Sequence, residues 1–217
     1  MTHKNNMNTS SIKIALLSGL LLSPVCLGLR ASEPVTIAPL KGRYLSSDFH
    51  NHTSYSGGSY SLGHVVAKGF SFGLDWMAES GHGGVREYDG SISGKDMGKM
   101  VEWKDTDAHL KGDPHKEGYM WRWQCLKDFS FPELNKLRAK HPGKLLFQEL
   151  EWNVPGHEHA DVCILTSQYD LHNPNADALA QFEYMFDNSD KDQTGGKEFG
   201  WIKSDKEGHA KTLEAIA

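Results

Sequence analysis

Apolar and polar positions alternate between strand-like and helix-like spacing from about residue 40 onward. The pattern predicts a strand at 44–49, a helix at 61–72 and a second strand at 74–79. Within the helix, the apolar residues recur at intervals that place them on one face: Leu62, Val65, Val66 and Phe70. Because Ser61 is a typical N-cap and Gly73 a typical stop, we expect this helix to cover one face of a sheet.

Residues 85–130 interrupt this rhythm with a polar stretch that is rich in glycine and lysine and contains Trp103, Trp121 and Trp123. The stretch is too long for an ordinary connection, so we interpret it as an insertion. Its tryptophans could stack on a sugar or a base. Aromatic residues in a long segment more often form a small core of their own.

The alternating pattern resumes after the insertion. It predicts a helix at 132–140, strands at 144–151 and 160–166, and a helix from Asn173-Pro174 to about residue 186. Strands that alternate with helices indicate an α/β fold with parallel strands. The final segment, 204–217, has helical spacing and ends without a closing Gly, Pro or polar tail. Because four strands cannot close a barrel, we expect the chain to be truncated.

The first 31 residues have the organisation of a signal peptide. Lys4 and Lys13 precede an apolar run at 14–29, and Ala31 is a small residue suited to cleavage. The run is short for a membrane span, so we expect no stable membrane insertion after cleavage. A lipid anchor is disfavoured because no small residue precedes the cysteine of this segment. The sequence therefore predicts a periplasmic or secreted protein.

The charge of the chain excludes one class of partner. The formal net charge is −5, and removing residues 1–31, which contain three basic residues and no acidic ones, takes it to −8. Such a surface repels polyanions, so we expect no nucleic-acid partner, whereas a small phosphorylated substrate held by metal ions remains compatible. We divide the mature chain into a linker at 32–43 and a domain at 44–217.

Two cysteines, Cys125 and Cys163, remain in the mature chain and could pair in an oxidising compartment. Cys163 lies in an apolar, strand-like run. We therefore favour a buried thiol over a disulfide for that residue. Neither cysteine has the spacing of a metal site.

The first candidate site ends the first predicted strand, in the sequence Asp48-Phe49-His50-Asn51-His52-Thr53. Side chains alternate along a strand, so His50 and His52 point to the same side, with Asp48 beneath them. Two imidazoles at this spacing can bind one divalent cation, and Asp48 could orient one of them by accepting its other ring proton. The alternative is a pair of unrelated surface histidines.

Further candidates follow the later strands. His82 comes just after the second strand and is flanked by glycines, which let a ligand or another backbone approach closely, although a histidine there could also be an ordinary loop residue. Glu149 and Glu151 share one face by parity, and we expect Glu151, nearer the strand end, to reach the site. His157 and His159 precede the fourth strand, and the sequence leaves the choice between them open.

These motifs resemble those of the polymerase and histidinol phosphatase (PHP) superfamily of metal-dependent phosphoesterases. The segment His50-Asn51-His52-Thr53, followed by Ser56 and Gly58, is similar to the opening signature of that family. Residues 74–84 align without a gap to its second signature, which ends in Thr-Asp-His-Gly. The resemblance covers roughly residues 44–84 and 144–166.

The resemblance implies a distorted (β/α)7 barrel, with only the first four or so strands present in this chain, and a two- or three-metal site at the strand ends. It also implies that Glu151 bridges metals and that His159 is the next histidine ligand. Gly57 replaces a common aspartate or histidine ligand of the family, and Gly81 replaces the aspartate before the histidine. The first departure bears on the occupancy of one metal position, the second on a supporting hydrogen bond.

The five candidate metal ligands are therefore His50, His52, His82, Glu151 and His159. Neutral imidazoles and a bridging carboxylate suit Zn²⁺, Mn²⁺ or Fe²⁺. Such a site supports hydrolysis by a metal-bound hydroxide, and the resemblance implies a phosphoesterase acting on a small phosphorylated molecule. An amidohydrolase-like hydrolase of C–N or ester bonds is the enzymatic alternative, and a non-catalytic metal- or ligand-binding protein is the alternative from another class. Arg86 is a candidate substrate contact.

Overall fold

The protein has a mixed α/β fold in which three parallel strands lie side by side with helices packed on one face. The structure, a computed structural model, describes residues 42–91, 100–113, 117–165 and 176–203. The strands are β1 Ser47–Asn51, β2 Trp76–Glu79, β3 Val85–Arg86, β4 Met120–Trp121, β5 Leu145–Gln148, β6 Leu150–Asn153 and β7 His159–Val162. The α-helices are α1 Leu62–Ser71, α2 Arg122–Gln124, α3 Phe131–Lys140 and α4 Ala176–Phe186, with 3₁₀ turns at Trp103–Asp105 and Gly195–Phe199.

The parallel sheet has the order β1-β2-β5, with Ser47 opposite Trp76 and Met77 opposite Leu146. The predicted first strand, 44–49, starts too early, because β2 offers a partner only from Trp76 onward. A change of register between Asp48 and Asn51 lets β1 continue to Asn51. His50, in β1, and His52, just beyond it, therefore lie at the edge where β2 ends.

Helix α1 lies where the apolar spacing predicts it. The Ser61 side chain caps it by accepting a hydrogen bond from the His64 amide at 3.2 Å. Leu62 and Val66 are buried with Leu134 of α3 and with the sheet residues Met77 and Leu146 in one apolar cluster. This packing on one face of the sheet holds the strands that carry the candidate site.

The strand predicted at 144–151 is wrong as a single element, because it divides at Glu149 into β5 and β6. The Glu149 amide still donates to Glu79 O at 2.7 Å, but from Leu150 onward the chain pairs with β7. The expectation of parallel strands also fails here, since β6 and β7 are antiparallel. Only five residues connect Asn153 to His159. That is too short for a crossover, so the pair forms a hairpin around Gly156, whose φ is +79°.

The segment predicted as an insertion is built into the core. Strands β3 and β4 pair antiparallel, and Trp103, Trp121 and Trp123 are at most 2% exposed. Their indoles pack in the two apolar clusters of the domain, not on a surface where a base or sugar could stack on them. These tryptophans therefore stabilise the fold.

The helix predicted at 132–140 begins earlier, because α2, a π-helical segment at Cys125–Ser130 and α3 follow one another without a break. The Phe131 amide donates to Leu126 O, five residues back, as in a π-turn. Pro132 follows at once and has no N–H to donate, so the proline that suggests a helix start from the sequence sits within the continuous helical stretch.

Several predicted segments lie outside the described residues: the signal peptide at 1–31, nearly all of the linker at 32–43, the Asn173-Pro174 helix start and the segment at 204–217. Cys125 and Cys163 are both free thiols, and Cys125 is fully buried. Within the described ranges, no helix is long and apolar enough to cross a membrane.

Candidate metal centre

The candidate ligands converge where β1, β2 and β6 end or begin. His50 lies in β1 and His52 just beyond it, while His82 follows β2. A parallel bridge joins His82 to Glu151, and the Glu151 amide donates to Gly81 O at 3.2 Å. The backbone therefore holds the loop after β2 directly against the strand that carries the glutamate.

Four imidazoles surround the carboxylate of Glu151 as two pairs. Oε2 lies 3.0 Å from His52 Nε2, 3.7 Å from His50 Nε2 and 2.8 Å from His82 Nδ1. Oε1 lies 3.0 Å from His159 Nδ1. The pairs, His50 with His52 and His82 with His159, each form a group with Glu151 whose potential ligand atoms lie within 4.8 Å of one another.

The spacing and bonding of these atoms fit a cation. Ligands 2.0–2.1 Å from a tetrahedral ion lie about 3.3 Å apart, and His50 Nε2 is 3.1 Å from His52 Nε2. His82 Nδ1 and Glu151 Oε2 are buried and lie 2.8 Å apart, yet neither has a partner in hydrogen-bonding geometry among the residues that the structure describes. Buried polar atoms without partners are costly, and a shared cation would satisfy both.

The surroundings of His82 favour its neutral imidazole form, which has a lone pair available for a cation. Burial lowers its pKa to about 4, and the nearby charges of His52, Arg86 and His159 act in the same direction, against the opposing effect of Glu151. A neutral imidazole is the form that binds metals. Glu151 itself is only 8% exposed, so its carboxylate is largely shielded from water.

Glu149, the other carboxylate predicted at this strand end, does not join either group. It borders an apolar cavity lined by Trp76, Phe147 and Cys163 on the sheet. Burial, followed by the nearby charge of Asp161, raises the pKa of Glu149 to about 7. The choice of Glu151 over Glu149 therefore agrees with the geometry.

Asp161 contacts His50, a role that the sequence assigns to Asp48. Both carboxylate oxygens of Asp161 lie 3.1 Å from His50 Nδ1, leaving Nε2 directed at His52 and Glu151. Asp48 instead accepts the His50 backbone amide at 3.3 Å. The expectation that Asp48 orients a ring nitrogen is wrong, because the change of register in β1 follows Asp48. The alternation His159, Asp161 along β7 is the signal that could have identified the second acid.

Of the remaining candidates, His159 lies in the site, whereas His157 and Arg86 do not contact Glu151. His159 is the histidine of its pair that reaches Glu151, whereas His157 is exposed and, within the described chain, belongs to neither group. Arg86, the candidate substrate contact, donates through both terminal nitrogens to the backbone carbonyls of Ser56 and Gly83. Its main role in the structure is to tie these two loops together.

The two glycines that depart from the PHP pattern have different surroundings. A Cβ on Gly81 would lie 2.1 Å from Ser56 Cβ, so no side chain fits there. Ser56 in turn lies 3.4 Å from His52 Nδ1 through its hydroxyl. At Gly57, by contrast, there is open space but φ is +138°, which disfavours any side chain.

No protein-family model, curated protein or solved structure matches this chain.

Proposed function

We propose that the protein is a metal-dependent hydrolase that cleaves phosphate esters of small molecules. The observation that carries the proposal is the position of Glu151, a buried carboxylate with three histidines near Oε2 and a fourth, His159, near Oε1. The resemblance of the same residues to the PHP signatures gives the reaction class. The family membership and the barrel remain part of this proposal.

The donor set indicates which residues would hold divalent cations. His50 and His52 would bind one ion, His82 and His159 another, and Glu151 would bridge them. Borderline ions such as Zn²⁺, Mn²⁺ or Fe²⁺ suit imidazole and carboxylate together. When bound, such ions supply a nucleophile by acidifying a coordinated water and stabilise negative charge on the substrate oxygen.

The residues of the chain contribute position and charge. Asp161 orients His50 through its Nδ1 atom, so that Nε2 remains available as a ligand. The low pKa of His82 keeps its ring neutral near pH 7. Burial of Glu151 limits water around the carboxylate and strengthens its electrostatic interactions.

Phosphate release by the full chain tests the proposal. The protein is freed of metal, reloaded with Mn²⁺ or Zn²⁺, and incubated with a panel of phosphomonoesters, and inorganic phosphate is measured. We expect turnover in the wild type and a loss of at least about a hundredfold in Glu151→Gln, because one substitution weakens both cation positions. His157→Ala is the matched control and should retain wild-type rates.

Two outcomes would contradict the proposal. Release of an amine or a carboxylic acid, without phosphate release, would favour the hydrolase of C–N or ester bonds. Cation binding that depends on Glu151, with no turnover on any of these substrates, would favour a metal-binding protein without catalysis.

A further inference from the structure

An open cavity of about 590 Å³, lined mainly by residues with polar side chains, lies beside one of the two histidine pairs. His82 and His159 form one part of its wall, and the loop after α4 forms another, through Asn188, Ser189 and Lys191. The volume lies within the range of small-molecule sites. Because the cavity borders the proposed metal ligands, a molecule bound in it would meet the reactive centre.

The cavity differs in charge from the rest of the protein. The chain contains 28 acidic and 23 basic residues, yet among the described residues that line the cavity none is acidic. The charged residues there are Arg86 and Lys191; Arg86 is half-buried and donates to the backbone carbonyls of Ser56 and Gly83, whereas Lys191 is exposed. This distribution favours an anion in the cavity and makes Lys191 its accessible positive charge.

The loop that carries Lys191 is fastened to the strand that carries Glu151. Asp187 accepts the backbone amide of Asn153 at 2.9 Å and its side-chain amide at 3.0 Å, and the Asn188 amide donates to Asn153 O at 2.9 Å. A Cβ on Gly83 would lie 2.1 Å from the Asp187 carboxylate, so the loop after β2 also closes against this loop. The wall opposite the histidines is thus held at a fixed position relative to them.

The Lys191 ammonium retains donors for a ligand. It donates one hydrogen bond to Asn188 O, which holds the side chain at the cavity, and an ammonium group has three N–H donors. Asn188 and Ser189 line the cavity beside it. An amide and a hydroxyl next to a cation are suited to a hydroxylated anion and poorly suited to an aromatic or lipid group.

We propose that this cavity is the substrate-recognition site for a compact, hydroxylated phosphate ester such as a sugar phosphate. In this assignment, which rests on the proposed function, Lys191 binds the phosphate in the ground state and Asn188 and Ser189 bind hydroxyl groups of the remainder. Lys191 is thereby a specificity-determining residue and is not itself a metal ligand.

The test measures binding and turnover on the metal-loaded full chain. Calorimetric titration with inorganic phosphate and with the non-hydrolysable phosphonate analogue of glucose 6-phosphate gives Kd, and hydrolysis of glucose 6-phosphate and of p-nitrophenyl phosphate gives KM and kcat. We expect Lys191→Met to raise Kd for both anions and KM for both esters about tenfold with kcat little changed, since a charge-assisted hydrogen bond contributes that much to binding. Lys191→Arg should recover most of the affinity.

Two further variants sharpen the assignment. Asn188→Ala should raise KM for glucose 6-phosphate about fivefold and leave KM for p-nitrophenyl phosphate unchanged, because only the sugar offers hydroxyl groups. Lys197→Met is the matched control, since Lys197 is an exposed lysine in the neighbouring 3₁₀ turn and does not line the cavity. It should bind and turn over as the wild type does.

The outcomes separate this inference from the proposed function. Phosphate release with wild-type Kd and KM in Lys191→Met would overturn the recognition site and leave the hydrolase standing. Binding of the phosphonate that depends on Lys191, without any phosphate release, would support the site and overturn the hydrolase. Failure of the wild type to bind either anion would overturn the recognition site, whatever the phosphate-release assay gives.

Discussion

Replacing Asp161 tests the orientation of His50 against the alternative that the sequence suggests. In Asp161→Asn the side chain keeps its size but loses its negative charge, and with it the strong acceptor for the His50 Nδ1 proton. Partners of metal-binding histidines typically change metal affinity by about 10–100-fold. Asp161 retains 29% side-chain exposure, so water can replace part of the interaction. We therefore expect the lower end of that range, about tenfold, which corresponds to about 1.4 kcal/mol.

The assay is competition for Zn²⁺ against a chromogenic chelator, together with the metal content of the purified protein. We expect two cation positions in the wild type, of which Asp161→Asn weakens the one that contains His50. Asp48→Asn is the control, because the Asp48 carboxylate accepts a hydrogen bond from the His50 backbone amide and contacts no histidine ring nitrogen among the described residues, so both affinities should be unchanged. The reasoning would be refuted by a wild-type affinity in Asp161→Asn, and the orienting role would return to Asp48 if Asp48→Asn alone weakened binding.

Three other perturbations address the packing around the site. Gly81→Asp introduces the residue common in the PHP pattern, and its Cβ would overlap Ser56. We expect it to lower the unfolding free energy by about 1–3 kcal/mol, measured by urea unfolding. An unchanged unfolding midpoint would contradict this. Burial raises the pKa of Glu183 well above its ordinary value, so the folded state retains a proton that the unfolded state loses, and stability decreases as pH rises above about 4.5. Glu183→Gln should therefore gain stability relative to the wild type between pH 4.5 and 7.5, and a constant difference would exclude the effect. Metal at a concentration a hundredfold above its Kd should raise the unfolding free energy by about 2.7 kcal/mol, and a chelator should remove this stabilisation. Equal melting curves with metal and with chelator would argue against a specific site.

The sequence predicts three of the four histidines of the site because they depend on local periodicity, whereas only the resemblance to the PHP signatures selects the one in β7. His50 and His52 share a side through strand alternation, and His82 follows a parallel neighbour, so their proximity needs only the order β1-β2. Glu151 required one further assumption, that the residue nearer the strand end enters the site. The chain passes from β5 to β6 at Glu149, and no local sequence pattern predicts this break. The break keeps Glu149 out of the site that Glu151 enters.

The features that the sequence did not predict depend on contacts between distant segments. The antiparallel course of β7 could have been inferred from the short connection after Asn153, but the pairing of Asp161 with His50 spans 111 positions. The cavity wall at Asn188 and Lys191 is set by the bonds of Asp187 to Asn153, 34 positions away. Such placements follow from tertiary packing, which residue spacing alone does not determine.

One face of the hairpin β6–β7 carries most of what the proposed function requires. Its register sets Glu151 opposite Asp161 and Asn153 opposite His159, so all four side chains share one side. In the proposed function, Glu151 and His159 bind cations, Asp161 orients His50 and Asn153 lines the cavity. Two acids directly opposite each other repel. The surrounding imidazoles, and cations bound between them, would offset that repulsion. Cation binding, as proposed, would therefore relieve an electrostatic cost of this register.

The opposite face of the same hairpin explains why this register is kept. Leu150 and Trp152 are buried in the second apolar cluster with Val162, and the Trp152 indole donates to Phe186 O at 3.0 Å. A slip of one residue would turn these apolar side chains to solvent and the site residues into the core. Burial of the apolar face thus fixes the register of the hairpin. The register in turn fixes the positions of the candidate metal ligands on the opposite face.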